Sequence, residues 1–199
     1  LYKSGRHGEA RDLAARFLEI FHGPDPVVAP SGSCVAMVRA YPKLLANDPA
    51  RAAAARALAE RTFELSQFLV DVLGQDDLGA ELAATAVYHD SCQVSRTLGV
   101  REQPRRLLAK VRGLTLAEPA RPDACCGFGG TFSVQFPEVS AALTADKAAD
   151  LAATGAEVLV CAEPSCLLNL RSHLDKNLPG KLRCLHLAEV LDQAPGGAS

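Results

Sequence analysis

Between Ala124 and Ser133 the chain reads ACCGFGGTFS, two adjacent cysteines and three glycines within the six positions Cys125 to Gly130. Both thiols of an adjacent pair rarely enter the same core, because successive side chains diverge. A single zinc ion also takes neighbouring cysteines awkwardly, since its sites favour spacers of about two to four residues. A polynuclear iron–sulfur cluster is less demanding, because neighbouring thiolates can bind different irons or bridge them. Gly127, Gly129 and Gly130 suit that chemistry: glycine adopts positive φ readily and brings backbone N–H groups close to an anion. A bare turn would explain the glycines but not the doubled thiol. The cysteine spacings do not match the ferredoxin runs, so the cluster expected is of another kind.

The remaining cysteines sort by surroundings. Cys92 follows a predicted strand, Thr85 to His89, where the chain leaves the sheet through Asp90-Ser91. Cys166 stands in the same place after Glu157 to Cys161, and Cys34 after Pro26 to Ala29. Ligands gather outside the carboxyl ends of strands in open α/β sheets, so these three join the candidate set. Cys161 and Cys184 lie in apolar runs and read as small buried hydrophobes. His89, three residues before Cys92, is positioned to hydrogen-bond a cluster sulfur or carry a proton beside it, with a satisfied structural histidine as the alternative. Arg96 reads as a solvated helix position, and Asp146 to Asp150 with Lys147 as an ordinary charged helix face.

The elements that must hold these residues are mostly helical. Ala10 to Phe21 is expected to form a helix burying Leu13, Phe17, Ile20 and Phe21, stopped by Gly23-Pro24. Asp48-Pro49 is an N-cap and first-turn proline opening an alanine-rich helix towards Leu73-Gly74, with a break near Thr62. Gln103-Pro104 starts a short helix, and Pro137 to Thr154 forms another, closed by Gly155. Short apolar runs alternate with them: Pro26 to Ala29, Thr85 to His89, Glu157 to Cys161 and Arg183 to Leu187. The pattern predicts an α/β fold with mainly parallel sheets flanked by helices.

An internal echo refines that. PVVAPSGSC (26–34) and EVLVCAEPSC (157–166) each follow a helix and lead into another, and TFELSQFL (62–69) resembles CLHLAEVL (184–191). Two related modules are expected, residues 1–80 and 81–193, with a disordered tail at 194–199. The chain opens on Leu-Tyr-Lys-Ser-Gly without an initiator Met, and the first module lacks counterparts of Cys92 and Cys125-Cys126. It is therefore expected to be the C-terminal part of a truncated module.

Composition narrows the classes. In 199 residues with a net charge of −2 there is no basic excess of the kind nucleic-acid binders carry. No apolar run reaches transmembrane length and no signal-peptide pattern opens the chain. Seven cysteines fit a disulfide framework poorly. In a reducing, cytoplasmic compartment, clustered cysteines bind metal or do redox work. There is no nucleophile elbow, P-loop, dinucleotide fingerprint or paired-carboxylate motif.

At PSGSC (30–34), YHDSC (88–92), CCGFGGTFSV (125–134), TGAEVLV (154–160) and LHLAEVL (185–191) the chain resembles the cysteine-rich CCG-domain proteins. That family includes a cysteine-rich subunit of heterodisulfide reductase. PSGSC in place of a full C-x-x-C points to its lactate and glycolate branch, lactate utilization protein A and the iron–sulfur subunit of glycolate oxidase. The resemblance implies an electron-transfer subunit of a 2-hydroxy-acid oxidising complex, an oxidoreductase component that relays electrons and does not itself oxidise substrate. Its partners would be further iron–sulfur and flavin subunits, which could hold it at the inner face of the membrane. Carried over by position, Cys92, Cys125, Cys126 and Cys166 would ligate an oxygen-labile cluster of the 4Fe–4S type, and Cys34 would be the last ligand of the first module. One departure is Glu163, which stands where the fuller family pattern has the first cysteine of C-x-x-C. It reads as an exposed acidic loop residue, with an oxygen ligand as the alternative. Competing readings are a zinc-binding or thiol-redox structural module, in which Cys125-Cys126 forms a reversible vicinal disulfide, and a scaffold whose cysteines are incidental.

Overall fold

A computed structural model describes residues 1–193; the expected tail at 194–199 lies outside the described residues. In chain order the elements are α1 (His7–Ile20), β1 (Val27–Ala29), α2 (Gly32–Arg39), α3 (Tyr41–Leu44), α4 (Pro49–Glu60), β2 (Thr62–Glu64) and α5 (Leu65–Gln67). A π-helical turn, Phe68–Val72, continues α5. There follow β3 (Glu81–Tyr88), α6 (Glu102–Leu108), β4 (Arg112–Ala117), α7 (Thr131–Gln135), α8 (Pro137–Ala152), β5 (Val158–Cys161), α9 (Pro164–Asn177), β6 (Arg183–His186) and α10 (Leu187–Leu191). A second π-helical turn, Gln93–Thr97, follows Cys92.

All strand pairs are parallel. β1 pairs with β2, and a four-stranded sheet runs in the order β4-β3-β5-β6. The protein is thus an α/β fold with parallel sheets flanked by helices. Side chains alternate across the larger sheet with the period of two that a pleated strand imposes. Ala86, Tyr88, Val158 and Val160 face one way, onto Leu107, Leu108, Leu187 and Val190. Val87, Leu159, Cys161 and Cys184 face the other, onto Ala148, Leu151, Leu167, Leu170 and Leu174. With both faces covered, β5 is buried at every position, which is why it reads as an unbroken apolar run.

Local signals place several boundaries. The Asp48 carboxylate accepts from Arg51 N–H at 3.1 Å, and Pro49 occupies the first turn of α4. Gly155, at φ 73°, follows the end of α8. The two echoed stretches place their N-cap residues alike. Ser31 and Glu163 are the N-cap residues of α2 and α9, although of this pair only Ser31 caps with its side chain, accepting from Cys34 N–H. Glu64 and His186, the last residues of β2 and β6, cap α5 and α10.

Three elements differ from expectation. α1 buries Ala10 and Ala14, with Phe17, Leu18 and Phe21 packed nearby, while Leu13 and Ile20 are exposed. Small residues let α1 lie close on α4, and that contact selects its face. α4 ends at Glu60, and Thr62–Glu64 pairs with β1 instead of continuing the helix, as suits a β-branched and aromatic pair. β4 is an addition to the expected strands, because Arg112-Gly113 masks a segment that has only Leu114 and Leu116 to mark it.

Candidate metal centre

Three of the candidate residues, His89, Cys126 and Cys166, meet beyond the carboxyl ends of β3 and β5, where α9 begins and the CCG loop crosses. The Cys126 thiol donates to Cys166 Sγ at 2.9 Å, and both residues are buried. Cys166 in turn donates to Ser91 Oγ at 3.7 Å, so the YHDSC turn closes on the same point. The His89 imidazole, 1 % exposed, has its ring nitrogens among the same atoms: one donor each from His89, Cys126 and Cys166 lie within 4.8 Å of one another. Cys125 is exposed. Cys92, half-buried, precedes the π-helical turn and stands outside the tight group. Cys34 is exposed in the first turn of α2 and is not among them.

The loop is bolted down from α8. Ser140, Thr144 and Lys147 share one helix face by their spacing of four and three. Ser140 Oγ donates to Gly127 O at 2.9 Å, Thr144 Oγ1 to Cys126 O at 3.0 Å, and Lys147 Nζ to Arg121 O at 2.6 Å. Asn169 of α9 adds a second bond to Cys126 O at 2.8 Å. From the far side, Arg96 donates to Asp123 O. The approach is so close that only glycine fits at 127: a Cβ there would lie 2.5 Å from Ser140 O and closer still to Thr144 Oγ1. Gly127, Gly129 and Gly130 all have positive φ, 85°, 59° and 67°. Gly127 N–H consequently points at Cys125 Sγ, 3.4 Å away.

Burial and close mutual contact favour the uncharged forms of Cys125, Cys126 and His89. Its hydrogen bond with Cys126 and burial push the Cys125 thiol up. For Cys126 the bond with Cys125 favours the thiolate, but the bond with Cys166 and burial outweigh it, and the thiol is pushed up to about 12. His89 is lowered from 6.5 to about 4 by burial and by the neighbouring Lys147 charge, against the pull of Asp90. Among the described residues neither His89 ring nitrogen has a hydrogen-bond partner. Buried polar atoms are almost always paired, so an orphaned imidazole beside close thiols marks a place built for something more. Thiolates and imidazole are soft or borderline donors, and this set fits a transition-metal group.

Residues behind the donors fix their approach. Asp90 is buried and accepts two bonds from Arg105, at 2.9 and 2.8 Å. Arg105 also bridges to Glu118 at 2.9 Å and lies over the Tyr88 ring. Cys161 is outside the donor set: burial raises its thiol, and its sulfur accepts from Glu163 N–H at 3.3 Å.

Glu163 corrects the sequence reading. It is 2 % exposed, and its carboxylate accepts from Ser33 N–H at 2.7 Å, Ser33 Oγ at 3.1 Å, Ser165 Oγ at 3.0 Å and Ser31 Oγ at 3.3 Å. Its oxygens tie the PSGSC loop to the start of α9. Lys147 is a second correction, being fully buried where a charged surface face was expected. No local signal separates Lys147 from its exposed neighbours. Only the i, i+3 partner Asp150, at 3.1 Å, hints at pairing.

Residues 86–171 match the model of the CCG cysteine-rich domain. The chain is 45% identical over 194 residues to lactate utilization protein A of Exiguobacterium sp. strain AT1b, covering 96% of this chain and 79% of that protein. It is 43% identical over 194 residues to lactate utilization protein A of Bacillus subtilis strain 168 and 42% over 191 residues to that of Bacillus cytotoxicus. Each of these matches covers 96% of this chain and 80% of the relative.

Proposed function

Since the chain belongs to the lactate utilization protein A family, we propose that it is the iron–sulfur electron-transfer subunit of a complex oxidising a 2-hydroxy acid, L-lactate or glycolate. One observation carries this: the Cys126 and Cys166 sulfurs lie 2.9 Å apart beside a buried imidazole without partners among the described residues. An iron–sulfur cluster of the 4Fe–4S type would supply reversible one-electron transfer there.

This chain's residues would do the holding. Cys92, Cys125, Cys126 and Cys166 offer four thiolates from three segments. Gly127, Gly129 and Gly130 let the loop turn its N–H groups towards sulfur, as fits a concave anion site. His89 would donate a ring N–H to a sulfur or accept a proton beside it, and burial excludes water from that exchange. Cys34, carried on the PSGSC loop, is assigned to a site of the unit formed by residues 1–80, and the other four to the unit of residues 81–193. The candidate centre contains no arrangement suited to removing hydride from a hydroxy acid, so that step belongs to a flavin or other partner subunit. No helix among the described residues is long and apolar enough to cross a membrane. A cytoplasmic location, with attachment to the membrane through partners, follows from this reading.

Anaerobic reconstitution of the full chain with iron and sulfide, followed by metal and sulfide analysis, tests it. A brown protein holding several irons and sulfides per chain is expected, and a Cys126→Ser variant should lose them. The His89–Cys126–Cys166 trio supports a second reading, a mononuclear zinc site, because two thiolates and an imidazole suit tetrahedral zinc. A colourless protein with one tightly bound zinc and no iron would establish that reading and reject the first.

A further inference from the structure

Among the described residues Lys147 is the one lysine or arginine that is buried, with no exposure at all. The buried carboxyl side chains number four, Glu64, Asp90, Asp150 and Glu163. Replacing a buried ion pair by apolar residues is often neutral or stabilising, so packing alone does not call for an ammonium here. Its surroundings do. Lys147 Nζ reaches Arg121 O at 2.6 Å and Asp150 at 3.1 Å, which sets it against the segment leading into Cys125-Cys126. Ser140 and Thr144, on the same face of α8, hold the carbonyls of Gly127 and Cys126. Ala148 and Leu151, flanking it on α8, pack in one cluster with Cys126 and Cys166. The ammonium is also near enough to His89 to disfavour charge on that ring.

The structure assigns Lys147 a role at the metal centre: a fixed positive charge behind the CCG loop that favours the reduced, more negative state of an anionic metal group. This rests on the iron–sulfur reading given above. One-electron reduction adds a negative charge to a group that thiolates already make negative. A buried cation close by stabilises the added charge, and salt screens it little. Asp150, whose carboxylate accepts from both the ammonium and Arg121 N–H, partly offsets that effect. The two residues should therefore act in opposite directions. A residue that merely kept the loop in shape would not show that pairing of signs.

The experiment is a redox titration of the anaerobically reconstituted full chain, reduced with dithionite and followed by EPR, for wild type, Lys147→Met and Asp150→Asn. Methionine keeps the length of the lysine stem without its charge. With Lys147→Met the reduced-to-oxidised ratio at a fixed potential should fall about tenfold, a shift of about −59 mV for a one-electron couple. Asp150→Asn should shift the potential upward. Potentials equal to wild type in both loaded variants, or shifts in one direction for both, would overturn the assignment. If Lys147→Met fails to fold or load, Asp150→Asn decides alone: an upward shift supports the role and no shift refutes it. If wild type itself takes up no iron, the iron–sulfur reading fails before any variant is compared, and the role falls with it.

Discussion

Replacing Gly127 with alanine puts a methyl group where α8 already stands. Two costs follow. The backbone there has φ 85°, and a side chain in left-handed conformation costs about 1–2 kcal/mol. The new Cβ would also sit 2.5 Å from Ser140 O and 3.0 Å from Thr144 N, and overpacking of that kind costs about 1–3 kcal/mol. The sum is about 2–5 kcal/mol, which for a chain of this size lowers Tm by about 4–20 °C. Relief requires the loop to move off α8, which breaks the Ser140–Gly127 and Thr144–Cys126 bonds and draws Cys126 away from Cys166. Gly130→Ala is the control. Gly130 also has positive φ, 67°, but its Cβ would meet nothing within 4 Å. Only a backbone term applies there: with ψ −110° the residue lies outside the left-handed α region, at a cost of about 1–3 kcal/mol, or about 2–12 °C. Calorimetry and metal uptake on both variants give the comparison. If Gly127→Ala unfolds with Gly130→Ala and binds as much metal, the close seating of the loop on α8 is refuted.

Other outcomes follow from the charges behind the site. Arg105→Leu leaves Asp90 buried without a counter-ion and should cost about 3 kcal/mol in urea unfolding, whereas replacing exposed Arg101 should cost under about 1 kcal/mol. Glu163→Ala strips several donors of their acceptor and should cost about 3 kcal/mol, with faster hydrogen exchange at Ser33 N–H; an unchanged Ser33 rate would contradict the tie between the two turns. Glu64 is buried, one of its oxygens has no partner among the described residues, and burial raises its carboxyl above the usual range against the Ser66 and Gln67 bonds. An acid with a raised native pKa contributes stability at low pH that is lost as pH rises through that value. Stability should therefore gain a component as pH falls through that raised value towards the ordinary carboxylate range, and Glu64→Gln should flatten it; an identical pH profile in the variant would contradict this.

What could be read from the sequence was what neighbours in the chain decide. Asp48-Pro49, Gly155 and the glycines after Cys126 act within a few residues, and the structure uses each where local chemistry suggested. The run Val158–Cys161 is buried on both faces and looks so. Long-range partners hide the rest. Glu163 looks like a loop acid because its donors, Ser31 and Ser33, lie some 130 residues earlier. Lys147 looks like its exposed neighbours because Arg121 O, which engages it, is set by the path of a loop. Leu13 and Ile20 fall on the apolar stripe of α1, yet the helix turns Ala10 and Ala14 inward because small residues permit the closer contact. At the metal centre, YHDSC and CCG announce the donors, while the convergence of His89 with Cys126 and Cys166 needs the parallel pairing of β3 and β5.

The central claim is that thiolates of Cys92, Cys125, Cys126 and Cys166 hold a polynuclear iron–sulfur group. X-ray absorption at the iron and zinc edges of the anaerobically reconstituted full chain tests it most directly. Iron in a sulfur shell with a further iron scatterer behind it is the expected result. A lone zinc bound by sulfur and nitrogen, with no iron in the protein, would contradict it.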